Sequence, residues 1–288
     1  MVMTTFNVTD HAAFIPEVWS DAVVSAAESK LVMANLVNRA YEGDIGAKGD
    51  TVKIPNIANL TANDKLVGTS VTVQAPAGTA GTLTINQHKE VSFYVEDVLS
   101  AQANPDVRAR YSGKAGYALA GAIDTDLLEL YSSLSQSSGS GTTAITDDII
   151  LNASLALDQA DVPPEDRYMV IAPSQKANIL KLDKFVKRDY RQDGSILAPV
   201  TTGVIGDIYG MPVFVTNQVV VAETVAHNLM FHKDAFTLAI QMAIRFQAQY
   251  KLEFLSNLLV GDVVYGVGEL QDTYAVDMQT TDVAVTTA

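Results

Sequence analysis

The apolar positions of this 288-residue chain change their spacing several times, and each change predicts an element. Residues 1–14 are polar and irregular and predict an arm. From Pro16 to about Tyr41, Trp19, Val23, Ala26, Met33 and Leu36/Val37 fall near one helical face. Pro16 suits the first helical position and Glu17 its positive end, while Gly43, Gly46 and Gly49 predict the stop. Between Thr51 and Val95 the period becomes two. Val52/Ile54, Val71/Val73, Leu83/Ile85 and Val91/Phe93/Val95 alternate with polar residues, the strand pattern. Asn56 to Gly81 is small and polar, which predicts a long, flat, two-stranded excursion. An exposed hairpin is marginal alone, so it must rest on another body.

The clearest helix follows. Asn104 suits an N-cap, Pro105 the first position and Asp106 the helix dipole. Val107, Tyr111, Ala115, Leu119, Ile123, Leu127, Leu130 and Leu134 then recur every three or four residues. A continuous helix over 105–134 is about 45 Å long, with Gly113, Gly116 and Gly121 allowing another backbone to approach closely. The stretch Ser135–Gly141 predicts a flexible break. Residues 143–224 read as an α/β unit. It has a helix over Ile149–Ala160, a buried strand at Met169–Ala172 and a helix from a Ser174 cap through Leu182. A turn at Val204–Gly210 and a strand at Pro212–Thr216 complete it. Beyond Leu229 come mixed strands, a helix-like stretch and an alternating strand from Tyr274 to Gln279, with no internal repeat.

Composition narrows the classes. Hydrophobic residues make up 48 % and charged residues 18 %, which excludes wholesale disorder. So little charge leaves neutral and apolar surface that other subunits are expected to cover. With 33 acids against 19 bases the formal charge is −14, which speaks against a broad phosphate-gripping surface. The absence of cysteine removes disulfides, thiolate zinc sites and cysteine nucleophiles. The opening Met1-Val-Met-Thr-Thr-Phe-Asn does not read as a signal peptide, and no apolar run is long enough to span a bilayer. A soluble protein with no membrane partner is expected.

The search for chemistry yields little. Gly43-Asp-Ile-Gly-Ala-Lys-Gly lacks the Lys-Ser/Thr ending of a phosphate loop, and Gly266-Val-Gly268 lacks the third glycine and following helix of a dinucleotide site. None of His11, His88, His227 and His232 stands at a zinc-binding helical spacing. His227 and His232 flank a predicted strand and read as surface or loop histidines. The acid pairs Asp124/Asp126, Asp147/Asp148 and Glu165/Asp166 read as helix caps or solvated faces. No catalytic, cofactor or metal site is expected, and no enzyme. Lys181, Lys184, Lys187, Arg188 and Arg191 gather cations in an acidic chain. A solvated helix face explains them most simply. The alternative is an electrostatic contact with an acidic patch on a neighbouring subunit.

The order of elements carries a resemblance. Arm and helix, extended hairpin, long helix, α/β unit and closing strands together resemble the major capsid proteins of tailed phages, with the Hong Kong 97-like fold. Val162-Pro-Pro-Glu-Asp-Arg-Tyr-Met-Val-Ile-Ala-Pro-Ser is similar to the family's strand-then-helix entry to its axial domain. Gly206-Asp-Ile-Tyr-Gly-Met-Pro-Val-Phe-Val-Thr-Asn resembles its glycine turn and strand, and Leu229-Met-Phe-His-Lys-Asp-Ala-Phe-Thr-Leu-Ala-Ile-Gln a later strand and turn. Asp262-Val-Val-Tyr-Gly-Val-Gly is similar to the return to the peripheral domain.

The resemblance implies an α+β chain divided into an N-terminal arm and helix (1–45) and an extended loop with peripheral strands (46–95). A spine helix (96–141), an axial domain (142–228) and closing strands (229–288) follow. It implies a shell subunit that forms pentamers and hexamers around double-stranded DNA without binding it specifically. Such a protein resides in the virion and assembles in the host bacterial cytoplasm, beside a portal. Because about fourteen residues precede the first predicted helix, the scaffolding protein is expected to be separate. Asp64, Lys65 and Leu66 at the loop tip, with Lys184, Lys187, Arg188 and Arg191, are the candidate intersubunit contacts. Some family members cross-link a loop lysine to an asparagine, but nothing ties Lys65 and Asn257 to that chemistry, so no cross-link is expected. The rival expectations are an encapsulin-like compartment shell and a surface-layer or adhesin-like protein.

Overall fold

The computed structural model describes residues 32–45, 51–57, 60–71, 73–74, 78–96, 106–182 and 206–282. The arm and most of the first predicted helix therefore lie outside the described residues. So do the Asn104–Pro105 helix start and the cation cluster from Lys184 to Arg191. What is described of the first helix is one turn, α1 (Met33–Leu36), with Val37 already extended. Asn38 ends it by pairing with the strand above: its N–H donates to Phe236 O at 3.0 Å, and Leu238 N–H donates back to its carbonyl at 3.1 Å. The predicted helix to Tyr41 thus yields to a parallel bridge with Thr237. A second short turn, α2 (Glu42–Ile45), contains Gly43 rather than ending there.

Strands β1 (Thr51–Ile57) and β2 (Gly78–Thr84) pair antiparallel from Thr51↔Thr84 to Ile57↔Gly78. Val71 and Val73 lie outside any strand, contrary to their alternation. The long helix is α3 (Asp106–Leu128), about 35 Å of α-helix, continued by a 3-10 turn over Glu129–Ser133 rather than by α-helix to Leu134. Of its glycines, Gly121 faces the Gln218 side chain and Gly113 faces open space, not another backbone.

Around α3 lie two sheets. β3 (Gln87–Glu96), β10 (Phe236–Lys251) and β11 (Ser256–Glu269) form an antiparallel sheet in the order β10-β11-β3. The second has seven strands: β4 (Ser137–Ser138), β5 (Arg167–Ile171), β6 (Asp207–Ile208), β7 (Met211–Val215), β8 (Val221–Ala222), β9 (Val225–His232) and β12 (Ala275–Thr281). Their order is β4-β12-β9-β5-β7-β6, with β8 on β9. Beyond Leu229 the described residues form strands, 3-10 turns and a tight turn over 252–255, so the predicted helix-like stretch is absent among them.

Strand alternation divides the larger sheet between two cores. Val170, Leu229, Phe231 and Ala275 turn to the spine and join Leu119, Ile123, Leu127, Phe236, Val263 and Tyr265. Met169, Ile171, Met230, Val276 and Met278 turn the other way. They meet α4 (Asp147–Gln159) and α5 (Pro173–Ile179) through Ile149, Ile150, Ala153, Leu157 and Ile179. Burying each such large apolar side chain contributes about 2 kcal/mol. The α5 helix starts with Pro173 at its first position after Ala172; Ser174 is not its cap.

Asp124 ties the start of the described chain to the spine. It is buried, and its carboxylate accepts Val32 N–H at 3.1 Å and Met33 N–H at 3.2 Å, serving donors that a helix start leaves free. The serine-glycine stretch after the spine is likewise pinned rather than flexible. Asp277 N–H donates to Gln136 O at 3.0 Å, Ser138 is buried, and Ser135 N–H reaches Asp272 at 2.7 Å. Gly139 has φ +88°, and a Cβ there would stand 2.4 Å from Gln279 O. Both the left-handed backbone and the missing side chain are required.

Gly139→Ala is therefore expected to destabilise the folded chain by at least about 2 kcal/mol. Calorimetry should show a melting temperature lowered by several degrees, while Gly43→Ala, facing open space, leaves it nearly unchanged.

Candidate intersubunit surfaces

Two projections carry apolar side chains that the chain itself does not cover. The first is the loop between β1 and β2. Beyond Ile57↔Gly78 the ladder stops, and Thr61 and Gln74 bridge the two limbs, Thr61 N–H donating to the Gln74 side chain at 3.1 Å. At the tip Gly68 takes φ +85° and Thr69 N–H donates to Leu66 O at 3.3 Å, closing a turn. Lys65 Nζ donates to the carbonyls of Leu66 and Thr69. Leu66 is 70 % exposed, and Leu60, Val67, Val71 and Val73 are also out in solvent. Asp64, Lys65 and Leu66 lie beside this turn, with the lysine bonded to the turn itself. Lys184, Lys187, Arg188 and Arg191 lie outside the described residues.

The second projection is the turn joining β10 to β11. Leu252 is 78 % exposed, and Phe254, Leu255 and Tyr94 are more than half exposed. Phe254 and Tyr94 pack ring on ring with centroids 5.5 Å apart. Leu255 holds φ +44°, a conformation that non-glycine residues rarely adopt. The strand reading did not single out this tip. Its signal lies in Leu252, Phe254 and Leu255 standing close together in a segment that must turn.

The polar residues singled out from the sequence act as ties inside the fold. Two residues apart on α3, Asp124 and Asp126 face different partners, and neither is a solvated cap. Asp126 accepts the Tyr265 hydroxyl at 2.6 Å and pairs with Lys89 at 3.2 Å. Burial, then that hydrogen bond, pushes the Tyr265 hydroxyl well up. His227 lies within β9, not in a loop; its Nδ1 is 2.8 Å from Asp277 and its ring stacks on Tyr131 at 3.9 Å. His232 is the buried last residue of β9 and accepts Asp234 N–H. Arg245 grips Asp262 with two hydrogen bonds of 2.8 and 2.9 Å, and these chiefly hold the Asp262 carboxyl below its usual range. Asp147 and Asp148 occupy the first turn of α4, whose N-cap is Thr146. Among the described residues no group of His, Asp or Glu is arranged to hold a metal, and no helix is long and apolar enough to cross a membrane.

Residues 42–282, most of the chain, match the family described as phage capsid protein. The chain belongs to that family. Solved structures agree with this capsid protein in architecture. The structure titled Mycobacterium phage Che8 is 26 % identical with a TM-score of 0.74, covering 86 % of this chain and 90 % of that one. The capsid of cyanophage P-SCSP1u is 18 % identical with a TM-score of 0.65, covering 82 % and 85 %. The virus-like particle from Pyrococcus furiosus shares 11 % identity and a TM-score of 0.60 over 92 % and 99 %. No curated protein matches by sequence. The fold is the α+β Hong Kong 97-like one, and the protein is a major capsid protein.

One titration of this capsid protein follows from its buried tie. Burial pushes the Asp124 carboxyl up from 3.8 to about 6, against the pull of the Val32 and Met33 N–H groups. The folded chain therefore holds that proton more tightly than the unfolded chain does. Its stabilising contribution is full below about pH 4 and is lost as pH rises through about 6. Denaturant titrations should show the stability of wild type relative to Asp124→Asn falling by on the order of 1–3 kcal/mol between those limits. Above pH 7 the difference should be flat.

Proposed function

We propose that this major capsid protein self-assembles into an icosahedral shell enclosing a double-stranded DNA phage genome, in pentamers and hexamers of itself. The observation that carries this reading is the pair of apolar projections. The described residues bury two large cores yet leave Leu66 and Val67 on one projection, and Leu252, Phe254 and Leu255 on another, exposed. Neighbouring copies would cover them, at the area a specific contact needs.

In this reading residues 1–45 are the arm and 46–95 the loop with its peripheral strands. Residues 96–141 are the spine, 142–228 the axial domain and 229–288 the closing strands of both domains. The loop crosses an adjacent subunit, with Asp64, Lys65 and Leu66 in the contact, while the cations Lys184, Lys187, Arg188 and Arg191 meet an acidic patch on a neighbour. The role is structural and non-enzymatic. Assembly takes place in the host bacterial cytoplasm with a separate scaffolding protein and a portal, and the protein ends in the virion. A charge of −14 per subunit supports a wall that does not grip the packaged DNA.

Wild-type protein co-expressed with its scaffolding protein should form closed shells tens of nanometres across in negative-stain images. The Phe254→Ser, Leu255→Ser double variant should stay folded by circular dichroism but yield at least tenfold fewer shells. A wild-type chain that remains a monomer in light scattering, or a variant that assembles normally, defeats the proposal.

A further inference from the structure

Gly266-Val-Gly268, too short for a nucleotide loop, has a different task at the root of the extended loop. Both glycines lie on the face of β11 opposite Tyr265, whose hydroxyl points to the spine at Asp126. Across the ladder Gly266 pairs with Ala239 and Gly268 with Thr237. Onto this flat, side-chain-poor patch comes the corner where β2 leaves for β3. A Cβ on Gly266 would stand 2.5 Å from Thr84 O and 3.1 Å from Ile85 Cα, both backbone. One on Gly268 would stand 3.0 Å from Leu83 Cδ1, the mobile end of a side chain. Neither glycine has a left-handed φ, so space alone explains them. Leu83 and Ala239 are buried together there, with Val52, Ile54 and Ile85 packed around them as a small core of their own.

We infer that Gly266 and Gly268 form a seat that sets the direction in which the extended loop leaves the subunit, and hence where its tip meets the neighbouring copy. The second half of this rests on the proposed loop contact; the first half does not. The loop ladder β1-β2 and the sheet β10-β11-β3 are separate sheets joined at this corner. Raising the seat by one methyl group at Gly266 must lift the backbone of Thr84 and Ile85, and a lift at the root is multiplied along the projection.

The chain has no cysteine, so paired labels can be placed without background. Nitroxides on Val67→Cys and Leu252→Cys report the distance between the two projections in the unassembled subunit by pulsed electron resonance. Gly266→Ala should displace that distance distribution by more than 5 Å. Gly268→Ala should displace it less, and Leu83→Val, which removes the offending Cδ1, should restore it. An unchanged distance in Gly266→Ala, or no restoration by Leu83→Val, overturns the seat. If Gly266→Ala does not fold, the Gly268 and Leu83 pair decides alone. Gly113→Ala, facing open space, is the control and should leave distance and assembly unchanged.

Assembly is scored separately. Gly266→Ala should give at least tenfold fewer shells of wild-type diameter. A chain with residues 62–73 replaced by a short linker should give none. Shells from that truncated chain refute the loop contact while leaving the distance result standing. Normal shells from Gly266→Ala, when the truncated chain forms none, refute the seat's part in assembly.

Discussion

The apolar stripe of the spine helix is the constraint on which the rest of the subunit depends. Leu119, Ile123 and Leu127 are buried on one side of α3 and are shared by strands of both sheets. Among the described residues, strands of both sheets bury apolar side chains against this one helix. The polar ties follow the same logic. Asp124 holds the residues before the loop, and Asp126 holds Lys89 and Tyr265 of the three-stranded sheet. Because they are two residues apart on a helix, they point to different neighbours, and one turn of the spine fixes two elements at once.

How much of this was legible in the sequence depends on whether a local pattern had local causes. The spine was legible because Ala115, Leu119, Ile123 and Leu127 repeat at the helical spacing and are buried on it. So were α4 and β5, where a local apolar pattern matches the element that forms. The failures lie where a distant partner overrides the local preference. Leu36 to Tyr41 had a helical pattern, but Asn38 is drawn into a bridge with Thr237, nearly two hundred residues away. Ser135 to Gly141 looked like a linker by composition, yet β12 supplies a ladder partner and Gly139 and Gly141 fit where side chains would not. Val71 and Val73 alternate like a strand but have no ladder within the subunit.

The candidate contact surfaces were half legible. The loop tip follows from strand signals interrupted by small and polar residues. The β10–β11 tip was hidden because a short apolar cluster reads as core until the turn is seen. Charge is divided in a complementary way. Asp126, Asp262 and Asp277 hold Tyr265, Arg245 and His227 within the fold, whereas both projections expose Leu and other large apolar side chains beside their polar ones. A modest number of charges thus serves the interior joints and leaves the projections free of strong repulsion.

The position of β12 has a consequence for how the subunit is made. It is the last strand of the described residues, yet it lies between β4 and β9. Until it emerges from the ribosome, β9 lacks one neighbour, β4 has none, and Val276 and Met278 are missing from the core beneath α4. The larger sheet therefore closes only after translation has passed residue 281. A nascent or truncated chain presents open strand edges that invite misassembly. A chain cut short before residue 281 thus lacks the strand that joins β4 to β9 and completes the core beneath α4.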